Sequence, residues 1–294
     1  MPAQHLIADL IKAHQLPDSF FEIVEHEYLP LCARLMQLQK EKSGTFYVAI
    51  NGSQGSGKST MAAFITDLLS QIWHLKVANL SIDDFYLTRK ERKHLAEHIH
   101  PLLITRGVPG THDIQLAMQT LKKLGSDCPS VPLVRFDKAM DDRADKNNWD
   151  TIQGPVDIVI LEGWCVGVQA QSEADLYTPI NRLESEEDSN TKWRHYVNDQ
   201  LAQQYPNLFK QFDYLIMLKA PDFDCVYRWR QRQEDKLKAT SKRQTHVMSE
   251  LELKRFIEHY QRLTEHALEN LPSEADVVFY LNQDQQFTKT TGLN

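Results

Sequence analysis

Gly57, Lys58 and Ser59 close the stretch GSQGSGKST at 52–60, and no other run of residues in the chain is as specific chemically. The spacing G-x-x-x-x-G-K-[ST] is that of a phosphate-binding loop. Its glycines let backbone N–H groups turn inward and meet phosphate oxygens without a Cβ in the way, and a helix starting near Lys58 would present its positive end to the same anion. Lys58 supplies a point charge for β- and γ-phosphates, and the Ser59 hydroxyl suits Mg²⁺. The motif requires a strand before it and a helix after it. The apolar run at 46–50 and the helical spacing at 61–69 provide both.

Carboxylates recur at the ends of two further apolar runs. Residues 77–84, VANLSIDD, end in Asp83 and Asp84, followed by Phe85 and Tyr86. In an open α/β sheet ligands sit at the carboxyl ends of strands, where an acid can take a proton from an attacking hydroxyl or hold Mg²⁺ through water. The most apolar run, VDIVIL at 156–161, ends in Glu162. With a phosphate loop about a hundred residues upstream it reads as a Walker B-like strand whose acid orients Mg²⁺ or its water shell. Basic groups lie in the loops between. Arg106 and His112 belong to a Gly- and Pro-rich segment suited to a substrate pocket. Arg143 stands among acids in DKAMDDRAD, a pattern that equally suits a local salt bridge. Arg228, Arg230 and Arg232 alternate along a helix, so they cannot all share one face. They read either as a solvated surface or as a mobile lid, around 228–248, that reaches the transferring phosphate.

These groups need a scaffold that brings strand ends together. Residues 1–42 read as helices interrupted at Pro17 and Pro30 and packed on the main domain, which spans 43–294. Strands are expected at 46–50, 77–84, 131–136, 156–161, 214–218 and 276–281, with helices between them and a long amphipathic helix at 249–271. That alternation predicts an α/β fold, a doubly wound parallel sheet with helices on both faces. The acidic stretch 172–190 reads as an exposed loop, and the residues after 281 as a polar tail. His94, His98 and His100 fall on a charged helix and read as a solvated face, because no third zinc ligand has suitable spacing.

A chain of 294 residues can bury a full core, and 41% hydrophobic with 25% charged residues is ordinary for a globular protein. The net charge of -7 argues against broad nucleic-acid or anionic-membrane binding. Cys32, Cys128, Cys165 and Cys225 lie far apart, form no C-x-x-C pair and read as reduced thiols. With no signal-peptide pattern at the start and no apolar run near the ~18 residues of a membrane span, a cytoplasmic protein is expected.

Taken in order, GSQGSGKST, SIDDFYLT, TRG with PGTHD, RFDKAMDDRAD, LEGWCVG, HYVNDQL and VYRWRQRQE resemble the plant-type D-glycerate 3-kinase family and its fungal and bacterial relatives. That family lies within the P-loop kinases that include phosphoribulokinase, uridine kinase and bacterial pantothenate kinase. The resemblance covers nearly all of the chain beyond the N-terminal helices. It implies ATP phosphates held by Gly52, Ser53, Gln54, Gly55, Ser56, Gly57, Lys58, Ser59 and Thr60, with Lys58 on the β/γ-phosphates and Mg²⁺ on Ser59 and Glu162. It implies Asp83 as general base, Tyr86, Arg106, His112 and Arg143 around the acceptor, and Arg228, Arg230 and Arg232 in the lid, with Arg228 and Arg232 expected to join Lys58, Asp83 and Glu162 in catalysis. A glycerate carboxylate would take a bidentate contact from Arg106 or Arg143. The alternatives are a P-loop kinase of a nucleoside, pantothenate or a sugar phosphate, or a non-catalytic nucleotide-binding protein. A GTPase switch is disfavoured by the absence of N-K-x-D and D-x-x-G segments.

Overall fold

A computed structural model describes residues 2–240 and 248–293. Helices α1 (Pro2–Ala13) and α2 (Leu29–Glu41) lead into strand β1 (Phe46–Gly52), the phosphate loop and α3 (Lys58–Ile72). Then come β2 (Val77–Ser81), α4 (Arg89–His98), α5 (Ile114–Leu124), β3 (Ile158–Gly163), α6 (Lys192–Gln203) and β4 (Tyr214–Lys219). The chain closes with α7 (Phe223–Thr240), α8 (Glu250–Asn270), β5 (Val277–Leu281) and β6 (Phe287–Thr291).

The six strands form one sheet in the order β6-β5-β4-β1-β3-β2, parallel except for β6, which runs antiparallel along β5. The period-2 geometry of a strand sends alternate side chains to opposite faces, and both faces are covered. Val48 and Ile50 of β1, with Ile158 and Ile160 of β3, pack against α1, α2, α3 and α7. Ala49, Val159 and Leu161 face the layer of α5, α6 and α8. Ile7, Leu10, Leu31 and Leu35 of the N-terminal helices enter the same core as the phosphate-loop helix. No described helix is long and apolar enough to cross a membrane.

The register decides what meets at the sheet's edge. Ile50 pairs with Glu162, Ser81 with Glu162, and Gly52 with Leu218. The phosphate loop, the Glu162 segment and the turn carrying Asp83 therefore leave the sheet side by side.

Three regions differ from the sequence reading. The run at 131–136 is not a sheet strand: Val131–Pro132 pairs with Thr151–Ile152, and Phe136–Asp137 with Asp142–Arg143, in two short antiparallel ribbons. Pro132 cannot donate to a longer ladder, and the charged turn after Asp137 folds the chain back on itself. The polar tail includes β6, whose alternating Thr and Lys suit an edge strand. The stretch at 172–190 holds two short helices rather than an exposed loop, and its Glu184 and Asp188 are 0% exposed.

Those acids are buried because each meets a cation. Arg262 of α8 donates to Glu184 through Nε at 2.7 Å and Nη2 at 2.6 Å. Arg194 of α6 lies 3.3 Å from Asp188 and 3.6 Å from Glu184. The segment thereby clamps α8 to α6. Breaking a buried pair leaves an uncompensated charge, so Arg262→Met should cost about 3 kcal/mol in urea unfolding, the lower end because Arg194 still faces Glu184. A loss under about 1 kcal/mol would mean that the network carries little of the packing.

Candidate active site

A cleft of about 410 Å³ opens where β1, β2 and β3 end. Its floor is the phosphate loop. Gly57 adopts φ +90° at the N-cap of α3, so the first free N–H groups of that helix point into the cleft beside Lys58. Gly55, at φ +79°, lies against α7, where an added Cβ would come within 2.6 Å of the Trp229 Cβ. Trp229 is fixed in turn by its indole N–H, which donates to the Gln283 carbonyl at 2.8 Å. Buried Asn51 donates through its amide to the carbonyls of Trp164, 3.1 Å, and Val166, 2.7 Å, tying the end of β1 to the loop after β3.

The three acids take different positions. Ser59 donates to Glu162 Oε1 at 2.8 Å, while Glu162 Oε2 is buried and accepts no hydrogen bond from the described residues. A hydroxyl beside a carboxylate with one oxygen unmet is a donor set that suits a hard divalent cation completed by phosphate and water. Among the described residues no cluster of three or more His, Cys, Asp or Glu side chains forms a closed metal cage. Asp83 and Asp84 diverge on a single turn of 3₁₀ helix, Ile82–Phe85. Asp84 turns to Arg135, at 3.2 Å, and to the Phe136 N–H. Asp83 faces the cleft, where Oδ1 accepts from the Tyr86 hydroxyl and Oδ2 from the Lys138 ammonium, each at 2.8 Å. Burial works to raise the Asp83 carboxyl, but the charges of Lys138 and Lys58 and the two hydrogen bonds outweigh it and hold it at about 2. Burial also pushes the Tyr86 and Tyr260 hydroxyls up, with the Asp83 charge adding to it, so both remain donors at neutral pH.

The far wall comes from the TRG loop and α8. Gly107, at φ +137°, lies directly on the Tyr260 ring, where no side chain fits. Tyr260 donates to the Arg106 carbonyl at 3.1 Å, and Trp164 donates to the Gly107 carbonyl at 3.0 Å. Arg106 is thus held at the cleft, ion-paired with Asp141 and set over the Phe136 ring.

Of the residues singled out from sequence, Gln54, Gly55, Gly57, Lys58, Ser59, Thr60, Asp83, Tyr86, Arg106 and Glu162 line this cleft. Gly52 ends β1, and Ser53 and Ser56 stand in the turn that follows it. His112 does not line it. Its ring stacks on Tyr86 at 4.7 Å, and Nδ1 lies 2.6 Å from the Tyr205 hydroxyl. Burial, against the pull of Asp83, lowers its pKa to about 4, so it is a neutral buttress. Arg143 is also turned away. Its Nη2 donates to the Tyr86 carbonyl, 3.2 Å, and to Asp113, 3.3 Å, because the ribbon that pairs it with Phe136 faces that loop. Of the three α7 arginines Arg230 lines the cleft, paired with Glu234, and the two expected to act in catalysis, Arg228 and Arg232, do not. Arg228 lies against Cys225 and Arg232 near Asp284, as the helical spacing requires. Residues 241–247 of the expected lid lie outside the described residues. Lys138, Trp164, Phe256 and Tyr260 line the cleft without having been singled out.

A parallel sheet with a phosphate loop at its edge, a hydroxyl–carboxylate pair beside the loop lysine and a second carboxylate across the cleft define a P-loop kinase. The chain is 34% identical over 236 residues, 75% of its length and 80% of the relative's, to an uncharacterized kinase, mug58, of Schizosaccharomyces pombe. It is 30% identical over 223 residues to the chloroplastic D-glycerate 3-kinase of Arabidopsis thaliana, of which it spans 45%. The solved D-glycerate 3-kinase of Cryptococcus neoformans superposes with a TM-score of 0.75 at 26% identity, covering 91% of this chain and 98% of that one. No protein-family model matches the chain. The protein belongs to the D-glycerate 3-kinase family of P-loop kinases.

Two outcomes follow from this geometry. Gly55→Ala forces both a positive φ and a clash with α7, so ATP affinity measured by calorimetry should fall roughly tenfold or more; unchanged affinity would show that the loop does not need its seat on Trp229. A carboxyl held at about 2, below its unfolded value of about 3.9, adds stability that is present above pH ~4 and lost as pH falls toward 2. The stability gap between wild type and Asp83→Asn should therefore be widest near neutrality and close over that interval. A gap that stays constant from pH 7 to pH 3 would contradict the depressed value.

Proposed function

We propose that the protein transfers the γ-phosphoryl group of MgATP to the 3-hydroxyl of D-glycerate. The observation that carries this reading is that Lys58 and Asp83 open onto one cleft, so donor and acceptor groups can face each other across it. Phosphoryl transfer asks little covalent chemistry of a protein; positioning and charge neutralisation supply most of the catalysis.

The phosphate loop and the start of α3 cradle the phosphate oxygens, and Lys58 reaches the β/γ-bridge. Ser59 and Glu162 would hold Mg²⁺, which would supply positive charge to neutralise the phosphates. Asp83, ionised at neutral pH, orients the acceptor hydroxyl and takes its proton as the new O–P bond forms and the bond to the ADP oxygen breaks. Tyr86 fixes the carboxylate and is itself fixed by the His112 ring. Arg230 is the α7 arginine placed to meet charge developing on the γ-phosphate. The cationic side chains of Arg106, Lys138 and Arg230 on the cleft suit an anionic acceptor, and the family's D-glycerate 3-kinases of A. thaliana and C. neoformans point to glycerate among such acids.

An acceptor panel of D-glycerate, pantothenate, uridine and ribulose 5-phosphate, read by ADP release, should single out D-glycerate; turnover confined to another acceptor would overturn the assignment. Asp83→Asn should lower kcat for the preferred acceptor by roughly 10²–10⁴ while ATP affinity stays within about twofold. Full turnover in that variant would remove Asp83 as the base.

A further inference from the structure

Asp83 is already occupied by a cation. The Lys138 ammonium lies 2.8 Å from Oδ2, on the carboxylate that has to meet the acceptor hydroxyl. The other cations at the cleft have partners elsewhere or a different task. Arg106 pairs with Asp141, Arg230 pairs with Glu234, and Lys58 stands at the phosphate loop. Among these, Lys138 is the one hydrogen-bonded to the reacting acid.

The pair is placed to be exchanged. Lys138 is 62% exposed, on the turn between Asp137 and Asp142 that joins the two strands of a short ribbon. An ion pair this open to water is weak, because solvent screens it and the long side chain gains entropy when released. The spacing also fits one class of molecule. In a hydroxy acid with two C–C bonds of ~1.5 Å between its carboxyl carbon and its hydroxyl-bearing carbon, one end can reach an ammonium while the other reaches an adjacent carboxylate. Lys138 and Asp83 form such an adjacent pair on the cleft wall.

We propose that Lys138 is the residue that selects the acceptor: it leaves Asp83 for the acceptor's carboxylate, so that binding a hydroxy acid uncovers the base, while a neutral polyol leaves the Lys138–Asp83 pair closed. The inference rests on the kinase reading of the cleft. It assigns to Lys138 the carboxylate contact that the sequence placed on Arg106 or Arg143, of which Arg143 is committed to Asp113 and Tyr86. It also explains how a carboxylate with such a low proton affinity in the free protein becomes a base only when the correct acceptor arrives. While Lys138 holds Asp83 the base is covered, so ATP hydrolysis without acceptor is suppressed by the same contact.

The test compares D-glycerate with glycerol, which offers the same terminal hydroxyl without the carboxylate, in wild type, Lys138→Met and Lys138→Arg. Wild type should prefer D-glycerate strongly in kcat/KM. Lys138→Met should raise the D-glycerate KM and cut that preference at least roughly tenfold, leave the ATP KM within about twofold, and increase acceptor-independent ATP hydrolysis; Lys138→Arg should recover part of the preference. If Lys138→Met keeps the full preference, or loses activity toward both acceptors equally, the proposal for Lys138 is overturned while the kinase reading stands. If wild type itself shows no preference for the carboxylate-bearing acceptor, the acceptor reading falls and the Lys138 proposal with it.

Discussion

Parallel pairing at the end of β3 sets the phosphate loop, Glu162 and the Asp83 turn side by side. Glu162 stands level with Ile50 on one side and with Ser81 on the other. The phosphate loop starts two residues beyond Ile50, and Asp83 follows two residues after Ser81. A slip of one residue would turn Glu162 to the opposite face and separate the Ser59 hydroxyl from its carboxylate. Both faces of β1 and β3 are packed with aliphatic side chains, so that slip would also expose core residues. The hydrophobic pattern therefore fixes the register, and the register fixes the chemistry.

Around this frame the protein places charge in opposed pairs. Lys58 and Lys138 flank Asp83, Asp141 meets Arg106, and Glu234 meets Arg230. Such pairs keep an empty, highly charged cleft from repelling itself, and they hold the cations near where phosphate and carboxylate groups arrive. More distant packing supports them. Glu184 anchors Arg262, which steadies α8 two residues after Tyr260; Tyr260 in turn holds the Arg106 loop through its carbonyl. Trp229 seats the phosphate loop from the other side.

The phosphate-loop side of the cleft is legible in the sequence because it is local. A contiguous motif between an apolar strand and a helix contains its own geometry, and the acids at strand ends followed from the rule that ligands bind there. The opposite wall of the cleft is less legible because its residues meet only through tertiary packing. Arg143 and His112 lie in segments next to the cleft, yet a two-stranded ribbon and an aromatic stack turn them away from it. Lys138 sits five residues before Arg143 in the same charged run, and nothing in that run's composition marks which cation points inward. Tyr260 was visible only as one member of the apolar face of α8. For 172–190, charge density suggested solvent, but Arg194 and Arg262, distant in sequence, neutralise its acids in the interior. The fold was read more securely: only the 131–136 run and the antiparallel edge strand departed from the expected sheet.

We propose that this cleft transfers the γ-phosphoryl group of ATP to one oxygen of one small hydroxy acid, releasing ADP. The most direct measurement is ³¹P NMR of the products formed from ATP and D-glycerate, which identifies the carbon that bears the new phosphate. The account predicts a single phosphomonoester on C3, with ADP in equal amount. A phosphate on C2, or ADP accompanied by inorganic phosphate alone, would contradict it.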